Sequence, residues 1–295
     1  MKGYAERLAD WAARLGATVH AMRYQRAEAR GEACAVRLVP PAAPTTRVLV
    51  AHGAGNDALF PLLELFGALL ASGAEVFSFD VDGHGCASTT VFAPDSVRTA
   101  IAAAADQAER GRPALPLHVV GHSLGGSLVL DALASGSLPH AASAAILSSP
   151  VDVRIGARTV AGELRGFFRR DTLAQRRHYG WWGLVPAFGP VKRAAYPFRR
   201  VDDDGRAWSY VAAVQRLLAE LDLEGRAASI THPTLLVYSD GDWIVPHAQG
   251  ERLAARIPGA ELLSLRGVSH YALPFHRLTI ERVVRWIGQH QPAAA

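Results

Sequence analysis

Short apolar, β-branched runs alternate with longer helical segments along most of this chain, and few folds accommodate that order. From Arg47 onward "RVLVAHG" precedes "LFPLLELFGALLASG", and "AEVFSFDV" precedes "DSVRTAIAAAADQAERG". "LPLHVVG" then precedes "SLGGSLVLDALASG", and the strand "SAAILSSP" follows. The pattern stops near Val151 and resumes near Thr231 with "HPTLLVYSD", "HAQGERLAARIPG", "AELLSLRG" and "HRLTIERVVRWIGQH". Strands this apolar need cover on both faces, and helices between consecutive strands supply it by building an α/β fold on a mostly parallel sheet. Gly73 and Gly111 are placed to end two of the helices, and the second of these is expected to begin on an acidic or serine cap. Upstream, "TVHAMRYQ" and "ACAVRLVP" predict an antiparallel pair at a sheet edge. Tyr4, Leu8, Trp11 and Leu15 share one face of an N-terminal helix, a stripe that suits core packing better than membrane contact.

Length and composition narrow the class. A chain of 295 residues, 49% hydrophobic, can bury the core of one large α/β domain with an insertion, or of two small domains. Glu6 and Asp10 interrupt the N-terminal segment, so no apolar signal-peptide core is expected there. Between Pro113 and Val151 the only charge is Asp131, but glycines, serines and turn signals make buried strands the better reading than a membrane span. Cys34 and Cys86 are too few for a disulfide framework and match no metal spacing, so no metal is expected and the default compartment is the cytoplasm. A net charge of +4 without a recognised motif argues against nucleic-acid binding.

The junction between "LPLHVVG" and "SLGG" carries the chemistry. In Gly121-His122-Ser123-Leu124-Gly125 a serine stands between glycines where a strand becomes a helix. A sharp turn of this kind lifts the hydroxyl clear of the backbone, and the helix N-terminus behind it favours negative charge. Such a serine could simply cap the helix; as a nucleophile it needs a base and an acid from other strand ends. His270, in "LRGVSHYALP", is the histidine that lies in the last strand-to-helix loop. Asp242, in "VYSDGDWIVP", is the preferred acid, because Asp240 is nearer the strand and can hold the turn through Gly241; Asp152, after "ILSSP", is a further alternative. An oxyanion needs two N–H donors, expected from Ala54 in "AHGAGND" and from Leu124, with His52 stabilising that loop.

Taken together, "HGAGN", "FDVDGHGCAS", "GHSLGG", "SDGDWIVP" and "GVSHY" resemble the α/β-hydrolase superfamily, and the first three are most similar to its monoacylglycerol lipase, lysophospholipase and serine aminopeptidase-like branch. In "DGHGCAS" one extra residue precedes the serine, and Asn56 stands where the lipases of that branch commonly have glutamate. The resemblance implies an eight-stranded sheet with a mainly helical cap after the sixth strand. The core is then 1–151 and 230–295 and the cap 152–229, with Ser123, Asp242 and His270 as triad. The function it implies is a cofactor-free serine hydrolase of carboxylic esters. Thioesterase, acyltransferase and carbon–carbon bond hydrolase chemistry use the same triad, and a non-catalytic binding protein is the rival of another class.

Composition of the inserted segment bears on substrate. From Val151 to Arg200 eleven Lys/Arg stand against Asp152, Glu163 and Asp171, interleaved with aromatics such as Trp181, Trp182 and Tyr196. Aromatic and aliphatic side chains suit an acyl chain or another lipid-like group, while the basic character speaks against an aminopeptidase, whose substrate ammonium needs carboxylates. The arginines form either a solvated face or a contact for anionic lipid or a substrate anion. A monomer or a homodimer is expected.

Overall fold

In a computed structural model of the protein, residues 4–25, 32–59, 62–82, 84, 93–110, 115–167 and 207–291 are described. The eight strands are β1 (Thr18–Gln25), β2 (Glu32–Val39), β3 (Thr46–Ala51), β4 (Ala74–Phe79), β5 (Leu117–His122), β6 (Ala141–Leu147), β7 (Thr234–Ser239) and β8 (Glu261–Leu265). They form one sheet in the order β1-β2-β4-β3-β5-β6-β7-β8. β1 pairs antiparallel with β2 and β2 with β4, whereas every pairing from β4 through β8 is parallel. The expected antiparallel edge and parallel remainder are both present.

Side chains alternate across the sheet between two separate cores. Along β3, Leu49 and Ala51 pack on one side, and Val48 and Val50 on the other. The same split divides Phe77 and Phe79 from Ala74 and Val76 on β4, and Ile146 from Ala145 and Leu147 on β6. The first face is covered by α3 (Pro94–Glu109), α4 (Leu124–Ala134) and α6 (Ala207–Leu221), through Ile101, Leu128 and Leu217 among others. The second is covered by α1 (Tyr4–Arg14), α2 (Leu63–Ala71) and α9 (Arg277–Gln289), through Leu8, Phe66 and Trp286. Because both faces are dry, the strands read as continuous apolar runs rather than as an in-out pattern. Along the N-terminal stripe Leu8 is buried, while Leu15, just past α1, is exposed.

Two helix starts differ from expectation. α2 begins at Leu63 rather than at Leu59. α3 begins at Pro94 with Ala93 as its N-cap and no capping side chain, instead of on an acid or serine. Proline at the first helical position already has the helical φ and has no N–H of its own to leave unsatisfied, so the helix can begin here without a capping side chain.

Buried ions fasten helices to this frame. Asp131 of α4, wholly buried, accepts from Arg98 Nε and Nη2 of α3 at 2.6 and 2.9 Å, and also pairs with Arg226 at the end of α7 (Leu223–Arg226). One carboxylate thus gathers three helices behind the sheet. Cys34 on β2 is disulfide-bonded, and the chain's second cysteine lies outside the described residues. Among the described residues no helix is long and apolar enough to cross a membrane.

Between β6 and β7 the chain forms α5 (Ala157–Phe167), then, past 168–206, α6 and α7, and α8 (His247–Ala254) joins β7 to β8. Most of the basic, aromatic stretch singled out above falls in 168–206, outside the described residues.

Candidate active site

Ser123 occupies the turn between β5 and α4 with φ 53° and ψ −125°, a conformation that a residue with a side chain adopts at a cost of about 1–3 kcal/mol. The neighbouring glycines show what holds it there. A Cβ on Gly121 would lie 2.5 Å from Gly126 Cα, and one on Gly125 would lie 2.2 Å from the Ala51 carbonyl oxygen. The start of α4 therefore presses on the ends of β3 and β5, and only glycine fits at the two contacts. Ser123 N–H donates to Leu147 O at 2.8 Å, fastening the turn to β6 as well.

The loop after β3 is held against this turn by two histidines. His52 Nε2 accepts from Val81 N–H at 3.0 Å while its Nδ1 donates to Gly53 O at 2.9 Å. His84 Nε2 accepts from Gly55 N–H at 3.1 Å, and its Nδ1 donates to Asp82 O at 2.8 Å. Both rings are thus neutral and fixed in one tautomer, which gives His52 the supporting part expected of it. Gly53 abuts the serine, since a Cβ there would lie 3.0 Å from Ser123 Cβ. Among the described residues the N–H groups of Ala54, in this loop, and of Leu124, after the serine, donate to no hydrogen bond.

Beyond β7, the chain turns so that Asp242 is buried with both oxygens engaged. Oδ1 accepts from the N–H groups of Ile244 and Val245 at 2.9 and 2.7 Å. Oδ2 accepts from Ser148 Oγ and, at 2.8 Å, from His270 Nδ1. His270, in the loop after β8, is buried and brings Nε2 to 2.9 Å from Ser123 Oγ. Serine, imidazole and carboxylate thus form one continuous hydrogen-bonded chain, through residues that lie 147 and 28 positions apart. Burial opposes the charged imidazolium, but Asp242, by charge and hydrogen bond, and Glu163, by charge, outweigh it and raise the His270 pKa above its ordinary 6.5.

The other two acids lie elsewhere. Asp240 Oδ1 accepts from Gly267 N–H at 2.6 Å and ties the β7 and β8 loops together. Asp152 is half exposed, accepts from Gln249 Nε2 at 2.7 Å and pairs loosely with Arg154.

Three neighbours escape a reading of the sequence alone. Ser148, with φ 49°, supplies the hydroxyl to Asp242 directly after β6. Its only signal is its place at a strand's carboxyl end, where sites on parallel sheets gather. Glu163 of α5 accepts from Trp243 N–H at 2.8 Å and from His270 N–H at 3.2 Å. The ring of His122 lies 5.1 Å from that of His270; burial first, then the neighbouring histidine, pushes its pKa well below the usual value, so it stays neutral.

The relatives agree with this frame. Over 276 residues the chain is 28% identical to a monoacylglycerol lipase of Mycolicibacterium smegmatis, covering 85% of this chain and 91% of that one. Among solved structures, a lipase in its open form superposes with a TM-score of 0.66 at 17% identity, over 92% of this chain and 99% of the lipase. The naproxen esterase of Bacillus subtilis gives a TM-score of 0.65 at 16% identity, over 96% of each chain. At these identities the structures speak for the fold alone. A family model described as the alpha/beta hydrolase family matches residues 48–285, a span that contains the serine turn and both partner loops. The chain belongs to the alpha/beta hydrolase family.

Proposed function

We propose that the protein is a serine hydrolase of carboxylic esters with an apolar or acyl-chain substrate, working through an acyl-enzyme on Ser123. The observation that carries this reading is the hydrogen-bonded chain Ser123 Oγ, His270 Nε2, His270 Nδ1, Asp242 Oδ2. As Oγ attacks the ester carbonyl carbon, its proton passes to His270 Nε2. The carbonyl oxygen becomes an oxyanion, for which the undonated N–H groups of Ala54 and Leu124 are the donors, beside the N-terminus of α4. Asp242 keeps the imidazole in the required tautomer and stabilises the imidazolium. Its own charge is held by three other donors, from Ile244, Val245 and Ser148, so it need not move during the cycle. The imidazolium then protonates the leaving alkoxide oxygen. Water attacks the acyl-enzyme with His270 again as base, and the acid product leaves with Ser123 restored. No step needs a cofactor.

The division into a core of 1–151 and 230–295 and a cap of 152–229 belongs to the same proposal. Its support is that β6 and β7 are adjacent in the sheet while the whole insertion runs between them. Aromatic and aliphatic residues of the cap suit an acyl group, as does the likeness to a monoacylglycerol lipase. Its arginines suit anionic lipid or an anion on the substrate. A panel of p-nitrophenyl esters of graded chain length, run beside acyl thioesters, tests the reading. Turnover of the esters, favouring acyl chains over acetate, is expected. Turnover confined to thioesters would reassign the reaction, and no turnover of either class would remove hydrolase activity from the account.

A further inference from the structure

α5 touches the acid and base loops at two successive residues. Gly162 lies so close to the indole of Trp243 that a Cβ there would come within 2.3 Å of Trp243 Cδ2. The next residue, Glu163, is 4% exposed, and its Oε1 accepts from the backbone N–H groups of Trp243 and His270. One carboxylate oxygen from the inserted segment therefore joins the residue after Asp242 to His270 itself. We propose that Glu163 is a positioning residue for His270, tying the base loop to the acid loop and making the working geometry of the imidazole depend on the docked position of α5. This rests on the serine-hydrolase reading for its functional meaning, though not for the coupling itself.

Two features separate this from ordinary packing. Glu163 Oε2 is buried and accepts no hydrogen bond among the described residues. A half-satisfied buried carboxylate costs stability, and a neutral amide would serve the same two N–H groups through its single oxygen. What the carboxylate adds is charge. The titratable groups that face it are His270 and Tyr271 of the β8 loop and Asp242 of the β7 loop, with neutral His122 on the far side of His270. Of these, His270 gains most from a second negative charge when it takes the serine proton. The directions agree: burial first, then Asp242, keeps the Glu163 pKa above its usual 4.5 against the opposing pull of His270, while Glu163 helps raise that of His270. A carboxylate so placed strengthens the base and stabilises the imidazolium, and it does both only while α5 is docked.

Glu163→Gln keeps shape and acceptor but removes the charge; Glu163→Ala removes both. The imidazole of His270 is titrated by NMR in 15N-histidine-labelled protein without substrate, and kcat and KM for a p-nitrophenyl ester are followed against pH. Removing the negative charge lowers the pKa of His270, so its titration in Glu163→Gln and the acid limb of kcat/KM both move to lower pH. The plateau kcat falls roughly threefold to tenfold with little change in KM. Glu163→Ala, with the loop tie also lost, falls about 10- to 100-fold. An unmoved His270 titration with kcat within about twofold of wild type would overturn the proposal, and so would a lowered melting temperature with that titration unmoved. Because the titration needs no substrate, a wild type that hydrolyses nothing would sink the serine-hydrolase reading while leaving the coupling measurable.

Discussion

Asp240 and Asp242 stand two positions apart in one loop, yet their carboxylates serve different ends. Asp240 reaches across to Gly267 N–H, whereas Asp242 folds back on the N–H groups of its own turn and meets His270. Asp242→Asn, which disturbs the tautomer of His270, is expected to lower kcat by about 10³–10⁴-fold. Asp240→Asn keeps an oxygen for Gly267 and is expected to stay within about threefold. Steady-state kinetics of the two variants check the assignment, and equal losses would contradict it. If His270 is the base proposed above, its raised pKa is expected to place the acid limb of wild-type kcat/KM above pH 6.5, because the base must be neutral to act; a pH profile of kcat/KM checks this. At this scale the sequence was legible where a residue sits in a strand-end turn, as Ser123, Asp242 and His270 do. Ser148 and Glu163 were not legible: one follows a strand in an ordinary serine pair, the other lies in a basic run. Their partners are 94 and 107 residues away, and no local pattern records such contacts.

Elements were legible wherever a period and a turn residue coincided. Gly73, with φ 86°, ends the α2 region as expected, and β1 and β2 pair residue for residue from Thr18 with Val39 to Gln25 with Glu32. The start of α3 departs from the expected capped one because Pro94 presets the helical φ, so the helix opens there without a capping side chain. One element also has a consequence for stability. His118 on β5 is wholly buried, with Nδ1 2.8 Å from Ser143 Oγ on β6 and Nε2 near Gln291 beyond α9. Burial first, then His290, lowers its pKa from 6.5 to about 4. The unfolded state therefore takes up the proton first. The stabilising preference for neutral His118 is present above pH 6.5 and drains away as the pH falls towards 4, amounting to about 3 kcal/mol when complete. Thermal melts across that range should show a shallower loss in His118→Gln than in wild type. Parallel loss in both would assign the acid sensitivity to other groups.

On the scale of the whole molecule, the sheet brings distant loops to one edge. β3, β5, β7 and β8 are parallel, so the loops that follow them open on the same side, and Ser123, Ala54, Asp242 and His270 arrive there without being near in sequence. Alternation of strands and helices foretold that arrangement, since it leaves a parallel sheet little choice of where its strands end. The inserted segment was legible as a change of composition only. Its docking through Gly162 and Glu163 depends on a surface that exists once β7 and β8 are in place. All of the chemistry argued above passes through one oxygen atom. Intact-mass spectrometry after treatment with a fluorophosphonate, followed by peptide mapping, reads that atom directly. One adduct per chain, on Ser123, that is lost in Ser123→Ala and strongly slowed in His270→Ala, is the predicted result. A folded wild-type protein that takes no adduct, or takes it on another residue, would contradict the account.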